Sequence, residues 1–235
     1  MNNSACNDRF NPTEGYDLHY NVELAGPPGD VGFLKCSGGV ALHIPVVPEE
    51  QRQGHSRQQQ NASLLHQLCS GLSFHASLNG GLIRPITYGG LCSPVTNLAD
   101  RFFVGGPLQL RGFLPAGIGP RAETGGSSTP GGDAMGGDFY YTATAAGSVP
   151  FPGIPFLKNN GIRLMGFANA GTVSSLNGGN IPLQSILKST RVSVGGGITM
   201  GLGVGRLEAT YAIPIRYGPR DARKNAQFGL GFNMG

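Results

Sequence analysis

The stretch "FFVGGPLQLRGFLPAGIGPR", residues 102–121, holds five glycines, three prolines and two arginines. Apolar and polar residues alternate on both sides of it, but not within it. It belongs to a connection that runs from about residue 88 to residue 137. Hairpin connections usually have two to five residues. The fold must therefore accommodate one long, irregular loop between its regular segments.

Seven segments around this loop alternate with a period of two, which is typical of β-strands. An eighth segment, "GIRLMGFANAG" at 161–171, is apolar on both faces, so its strand pattern is weaker. The seven alternating segments are GYDLHYNVELAG (15–26), DVGFLKCSGGVALHI (30–44), GLSFHASLNGGL (71–82), DFYYTATAAGSV (138–149), TRVSVGGGITMGL (190–202), GRLEATYAIPI (205–215) and AQFGLGFNMG (226–235).

The length and the two faces of these segments predict an all-β, antiparallel transmembrane sheet of about eight strands. Each segment has about ten residues, the length of a membrane-spanning β-strand. The polar face carries mostly hydroxyls, Asn and Gly, as a barrel lumen does, and short connections alternate with long ones. We expect the apolar residues to face lipid on the convex side of the sheet, with these representatives: Leu18, Leu42, Leu78, Val194, Leu207 and Phe232.

Two alternatives remain open from the strand pattern alone. A soluble β-sandwich binding protein would bury the apolar faces against a second sheet. An outer-membrane solute pore of the porin type would keep a polar lumen and would not need the long loop. Solubility without detergent would favour the sandwich.

Other classes of protein are disfavoured by what the sequence lacks. No run approaches the roughly 18 apolar residues of a transmembrane helix. Enzyme motifs are missing, and the histidines stand apart without ligand spacing, so we expect no catalysis, metal or cofactor. The net charge of +4 is spread out, which argues against a nucleic-acid partner. A Gln-rich stretch at 49–63 is expected to be a disordered insertion. We expect the four cysteines to be unpaired: Cys6, Cys36, Cys69 and Cys92.

The loop itself carries a family resemblance. "DRFFVGGPLQLRGF" (100–113) closely resembles the D-R-F-[FY]-L-G-G-P-x-x-[LV]-R-G-F motif of the central barrel subunits of the mitochondrial sorting and assembly machinery, within the BamA (bacterial surface antigen) superfamily. "GIGPR" (117–121) and "GDAMGGDFYY" (132–141) are similar to later motifs of that family. The first strands, in 7–35, and the last two also fit, so the resemblance covers nearly the whole chain.

This resemblance implies a function without enzymatic chemistry, the insertion of β-barrel precursors into the mitochondrial outer membrane. The implied partners are the lipid bilayer, precursor proteins and the other subunits of the assembly complex. A bacterial or plastid outer membrane is the alternative location.

The resemblance also assigns roles within the loop. Family members fold the Arg-Gly-Phe motif into the lumen against the inner wall, which here implies Arg111, Gly112 and Phe113. An arginine in a lumen needs acceptors to offset its desolvation. Glu208 is the first candidate for its partner and Asp138 the second, while Asn169 stands where bacterial members commonly have Asp. We expect Phe113 to fill gaps left by small wall residues: Gly195, Gly197 and Gly201.

The strand at about Ala226–Met234 resembles the family's last seam strand, which also carries a sorting signal: Gln227, Gly229, Phe232 and Met234. Family barrels have sixteen strands and usually a preceding soluble domain, so residues 1–235 correspond to the C-terminal half. An eight-stranded barrel has room for little beyond its own side chains. A loop of about fifty residues would not fit inside it, so we expect an open half-barrel, either a fragment or one half of a larger assembly.

Overall fold

The computed structural model of the protein describes residues 2–7, 12–47, 71–122, 132–152, 154, 157, 160–176, 183–202 and 205–232. Within these ranges nine strands form one antiparallel sheet, and each strand pairs with its neighbours in chain order. The strands are β1 (Asn2–Cys6), β2 (Gly15–Ala25), β3 (Phe33–Pro45), β4 (Ser73–Pro85), β5 (Phe139–Pro150), β6 (Arg163–Ser174), β7 (Arg191–Gly201), β8 (Gly205–Arg216) and β9 (Ala226–Phe232). A short helix, α1 (Leu183–Ser189), precedes β7.

The predicted fold class, an all-β antiparallel sheet, is confirmed, with nine strands in place of about eight. The additional strand is β1, whose sequence NNSAC shows no apolar alternation and which is ordered by pairing along β2. The weakly patterned eighth segment is β6. One face of β6 is apolar because Met165 and Phe167 belong to a buried cluster. The opposite face is more open, so apolar residues occur on both faces of this strand.

Pairing in register gives the sheet two chemically different faces, because successive side chains of a strand point to opposite sides. We call the face that carries Asn169, Ser193 and Glu208 the inner face; all three residues are buried. Asn169 lies opposite Ser193, and Thr199 lies opposite Glu208. A slip of one residue would move every one of these polar groups to the other face, so the alternation of the sequence fixes the register.

The other side, the outer face, exposes its apolar side chains. Leu18 is 47% exposed and Leu78 is 52% exposed. Leu42 and Leu207 are also exposed, and Val194 is half-buried. Phe232 pairs with Gly205 through its backbone, but its side chain lies outside the described residues. Since the described residues form one sheet and not two, the soluble β-sandwich alternative is wrong, and the apolar face suits contact with lipid.

The described sheet has two free edges and is not closed into a barrel. Among the described strands β1 pairs with β2 alone, and β9 pairs with β8 alone. None of the helices in the described ranges is long and apolar enough to cross a membrane. The Gln-rich stretch at 49–63 lies outside the described residues. The long connection between β4 and β5 contains two 3₁₀ turns, Tyr88–Gly90 and Leu98–Asp100, and it covers the inner face of the later strands.

Candidate functional site

The long loop is attached to the inner face by an apolar cluster. Val104, Leu110, Phe113 and Ile118 of the loop pack with Val173 of β6, and each is at most 2% exposed. Burying side chains of this size stabilises the docked loop by about 1.5–3 kcal/mol each. The loop is therefore packed as part of the protein core.

The expectation that Phe113 fills gaps at wall glycines is wrong for Gly195 and Gly197. A Cβ built at Gly195 would meet the ring of Phe167, which therefore occupies that gap from the neighbouring strand. A Cβ built at Gly197 would meet Ala209 and Thr210 of β8. Phe113 instead packs in the apolar cluster of the loop and Val173. Wall residues themselves fill the spaces beside the wall glycines.

Gly112 lies where the loop comes closest to the wall. Its φ is +90°, in the region that glycine adopts readily and other residues avoid. A Cβ added there would lie 3.2 Å from the Cβ of Ala212 on β8. Gly112 thus serves both the backbone conformation and the close approach, and the residues on each side of it can reach the wall.

Arg111 forms a bidentate ion pair with Glu208 of β8. Its Nε donates to Oε1, and its Nη2 donates to Oε2 at 2.9 Å. Arg111 is 7% exposed and Glu208 1% exposed, so water screens the pair little. The guanidinium also lies over the Phe167 ring, 4.9 Å from its centroid. Such a buried, doubly hydrogen-bonded pair holds Arg111 in one position, because removing either partner would leave a buried charge without a counter-charge.

A second guanidinium shares the same carboxylate. Arg206 Nη2 lies 3.3 Å from Glu208 Oε2. On the backbone side, the hydroxyl of Ser193 donates to the carbonyl oxygen of Arg111 at 2.6 Å. The wall therefore holds both the side chain and the main chain of Arg111.

The other two candidate partners of Arg111 lie elsewhere. Asp138 accepts from the hydroxyl of Thr96 at 2.5 Å and from the backbone N–H of Leu176 at 2.9 Å. Arg101 lies beside it, with 4.0 Å between Nε and the carboxylate. Asn169 is buried, and its amide atoms have no hydrogen-bond partner among the described residues. Asp138 therefore fixes the root of the loop, and neither residue contacts Arg111.

Gln227 joins the loop to the last strand. Its Oε1 accepts from the backbone N–H of Gly112 at 2.8 Å, and its Nε2 donates to the carbonyl of Phe113 at 2.7 Å. Gln227 is buried, so these two bonds satisfy backbone groups that have no access to water. Nearby, Leu108 packs over Gly229, where an added Cβ would lie 3.0 Å from Leu108 Cδ2. The loop and β9 are thus held together; Met234 lies outside the described residues.

The loop also pairs with the connection between β8 and β9. Leu114 N donates to Ala222 O at 2.9 Å, and Lys224 N donates to Gly112 O at 3.0 Å. An ion pair between Arg191 and Asp221, with N–O distances of 2.9 and 3.1 Å, fixes that connection. These contacts extend the docking surface beyond the Arg-Gly-Phe motif.

The Omp85 superfamily domain matches residues 1–234 of the chain. The chain belongs to the Omp85 superfamily. The family resemblance of its loop is thereby confirmed. The sorting and assembly machinery component 50 homologues of Bos taurus and Homo sapiens are each 32% identical over 97% of this chain and 43% of their own length. A SAM50-like protein of Schizosaccharomyces pombe is 29% identical over 95% of this chain and 41% of its own. The chain spans less than half the length of these relatives.

Among solved structures, BamA from Haemophilus ducreyi lacking POTRA domains 1–3 is similar to this Omp85 chain. The TM-score is 0.71 over 97% of this chain and 40% of that one, at 21% sequence identity. At that identity the likeness concerns the fold, which is the half of a BamA-type barrel.

Several residues that hold the Omp85 loop were not singled out from the sequence. Arg101 donates to Thr96 O at 3.1 Å and to Met135 O at 3.2 Å, which closes the loop at its root. Arg121 donates to Ala116 O at 2.9 Å, and burial lowers the pKa of its guanidinium below the usual value, while Asp221 opposes that shift. Ser193 was recognisable as a polar-face residue of a predicted strand, whereas the contacts of the two arginines depend on how the loop folds.

The described ranges contain no group of three or more His, Cys, Asp or Glu side chains that could hold a metal ion. Cys6, Cys36 and Cys92 are free thiols, and Cys69 lies outside the described residues. The arrangement around Arg111 is a buried ion pair with a hydrogen-bonded backbone, and these contacts attach the loop to the wall.

Proposed function

We propose that this chain is part of a β-barrel insertase of the mitochondrial outer membrane, where it helps to assemble β-barrel precursor proteins. One observation carries the proposal: the Arg-Gly-Phe loop is locked by Glu208 and Gln227 onto the inner face of an open, lipid-compatible sheet. The similarity to sorting and assembly machinery component 50 homologues supports the choice of membrane and substrate. The proposed activity is not enzymatic, because a precursor is assembled by backbone pairing between strands and no covalent bond is changed.

The free edge of β9 is the part of the chain that acts on a precursor. Its outward N–H and C=O groups have no strand partner among the described residues. In hydrocarbon each unpaired backbone group costs several kcal/mol, so the edge strongly favours pairing with a further strand. An incoming precursor strand satisfies that edge by strand addition.

The loop keeps this edge in shape while it is unpaired. Gln227 and Gly229 lie in β9 and are held by Gly112, Phe113 and Leu108 of the loop. An edge strand without such support would twist away or aggregate. We therefore assign to the Arg111–Glu208 pair the role of holding the loop, and through it the edge, in a pairing-competent position.

Further strands complete the barrel at the other edge, where β1 has five residues and pairs with β2 alone in the described sheet. The implied partners of the chain are thus the bilayer against the outer face, precursor strands at β9 and other subunits of the assembly complex. A solute pore is the weaker alternative, because the loop fills the inner face of β6 to β9 that a solute path would need.

The test uses a chimera, because the chain spans 43% of the human relative. The matching region of the human sorting and assembly machinery component 50 homologue is replaced by residues 1–235 and expressed in cells depleted of the endogenous protein. Isolated mitochondria then receive a radiolabelled β-barrel precursor, and its assembly is followed on native gels. We expect the chimera to restore assembly.

Arg111→Ala in the chimera should reduce precursor assembly at least severalfold without loss of the chimera from the membrane. Arg84→Ala, which removes an exposed arginine at the end of β4, is the matched control and should assemble precursors normally. A chimera that integrates into the membrane but assembles no precursor would contradict the proposed function.

A further inference from the structure

A basic surface lies at the end of β8 and in the connection to β9. The segment "RYGPRDARK", residues 216–224, carries four cationic side chains and one carboxylate. Arg216, Arg220, Arg223 and Lys224 are all exposed. Lys188 of α1 lies beside this segment, because its carbonyl oxygen accepts from Arg216 Nη2 at 2.9 Å. Its exposed ammonium group adds a fifth cation. Within the described ranges, five exposed cations therefore lie together at this end of the sheet.

The single carboxylate of the segment does not neutralise this surface. Both oxygens of Asp221 accept from the guanidinium of Arg191, and Oδ2 also accepts from the backbone N–H of Gly218 at 2.5 Å. The Asp221 side chain is 2% exposed. The Asp221 carboxylate is therefore neutralised by Arg191 inside the protein, and the exposed cations have no counter-charge from it.

The same internal bonds give the segment a fixed shape. Asp221 N donates back to Gly218 O at 3.2 Å, which closes a turn. The backbone of Ala222 and Lys224 is bonded to the long loop. Less conformational freedom is then lost when a ligand binds, which favours binding. The cations project from a rigid turn.

This surface is continuous with the lipid-facing side of the sheet. Ile213 and Ile215 of β8 are exposed on the outer face, and Tyr217 continues their alternation just beyond the strand. Arg223 stacks on Tyr217, with 4.1 Å between its guanidinium carbon and the ring centroid. Tyrosine is enriched where membrane proteins pass from hydrocarbon to headgroups. A tyrosine at this position predicts that the neighbouring cations reach the level of the lipid phosphates.

We propose that this surface, formed by Lys188, Arg216, Arg220, Arg223 and Lys224, binds the headgroups of anionic phospholipids. Guanidinium and ammonium groups recognise phosphate by charge-assisted hydrogen bonds. Basic residues beside a membrane-spanning element bind anionic leaflets, each adding up to about a fivefold preference near the surface. The inference does not depend on the proposed function, since it concerns the membrane around the sheet and not the precursor.

The test measures which lipid surrounds each end of β8. The chain contains no Trp, so Tyr217→Trp provides a single fluorescent reporter. The full chain is folded in neutral-detergent micelles that contain either brominated phosphatidylglycerol or brominated phosphatidylcholine, which quench Trp on contact. Leu207→Trp, on the outer face near the opposite end of the same strand, is the matched control.

We expect the anionic lipid to quench the reporter at 217 about five times more effectively than the zwitterionic lipid, and both to quench equally at 207. Arg220→Gln with Lys224→Gln should lower the preference at 217 to the level at 207, and so should high salt. Ile215→Trp serves as a second reporter in case the first disturbs the stacking with Arg223. Equal quenching by both lipids beside the basic surface, or a preference that survives the double substitution, would overturn the proposal.

Discussion

Replacing Glu208 by Gln should release the long loop from the inner face of the sheet. The substitution keeps the size of the side chain but removes its charge. Arg111, which is 7% exposed, then loses its bidentate partner, and Arg206 loses the carboxylate 3.3 Å away. Two guanidinium groups are left close together in a poorly solvated space without a counter-charge.

Breaking a buried ion pair by removing one partner costs about 3–5 kcal/mol. The Gln amide oxygen still accepts one hydrogen bond, so we take the lower end, about 3 kcal/mol. The apolar cluster around Phe113 and the bonds from Gln227 remain, so this cost should fall on local opening of the loop and leave the sheet folded. At about 1.4 kcal/mol for each factor of ten, the open population rises roughly 100-fold.

Hydrogen exchange read by mass spectrometry in detergent micelles measures this opening directly. The informative amides are Gly106, whose N–H donates to Phe113 O, and Gly112 and Leu114, which donate to Gln227 and Ala222. They should exchange roughly 100-fold faster in Glu208→Gln. Amides in the centre of β3 and β4, which make no contact with this part of the loop, should be unchanged.

Glu23→Gln is the matched control. Glu23 faces Lys35 across β2 and β3 at 3.9 Å, and its side chain is about half exposed. Exposed pairs of this kind contribute about 0–1 kcal/mol, so exchange in the loop should not change. Equal exchange rates at Gly112 and Leu114 in the two variants would show that the ion pair does not hold the loop.

Three further predictions follow from the same docking surface. In urea unfolding, Gly112→Ala should lower the free energy of unfolding by about 1 kcal/mol more than Gly161→Ala. Both glycines have positive φ, but only a Cβ at Gly112 would lie 3.2 Å from a wall residue, Ala212. Equal losses would show that the loop does not touch the wall. Gln227→Ala should speed exchange at Gly112 at least tenfold, since a buried unsatisfied group costs about 1–3 kcal/mol, and an unchanged rate would exclude Gln227 as a tether. Phe167→Leu, which removes the ring under Arg111, should have a smaller effect on the same amide, about threefold.

The strands and their faces were predictable because alternation is a local property. Polar residues such as Thr142, Ser193 and Thr210 fall on the buried inner face, and apolar residues such as Leu78 and Tyr211 fall on the exposed outer face. β1 was missed because its order comes from pairing along β2 and not from a pattern of its own. The inner face of β6 was ambiguous because its side chains are covered by protein and not by water.

The loop was harder to predict because its contacts join residues far apart in the chain. The sequence indicated that Arg111 needs an acceptor, but not which carboxylate faces it. Asp138 directly precedes β5 and is bound at the loop's root by Thr96, whereas Glu208 lies in the middle of the wall. The gap at Gly195 was expected to receive Phe113, but Phe167 on the adjacent strand fills it, since its position opposite Gly195 in the register is closer. The clustering of cations near Tyr217 likewise depends on the turn that Asp221 closes.

The long loop lies on the inner face of the sheet, over the last strand. An engineered disulfide between the loop and β9 tests this placement. The Cβ of Pro107 lies 3.1 Å from a Cβ built at Gly229, close to the roughly 3.8 Å of a disulfide. Pro107→Cys is paired with Gly229→Cys, or with Gly147→Cys on the outer face as the control, after all native cysteines are changed to serine.

Mild oxidation of the folded chain in detergent micelles, followed by non-reducing mass spectrometry of tryptic peptides, reports which pair has formed. We expect nearly complete cross-linking between positions 107 and 229 and none between 107 and 147. Absence of the 107–229 cross-link, or equal yields from both pairs, would contradict the placement of the loop and with it the lock that Arg111, Glu208 and Gln227 are proposed to form.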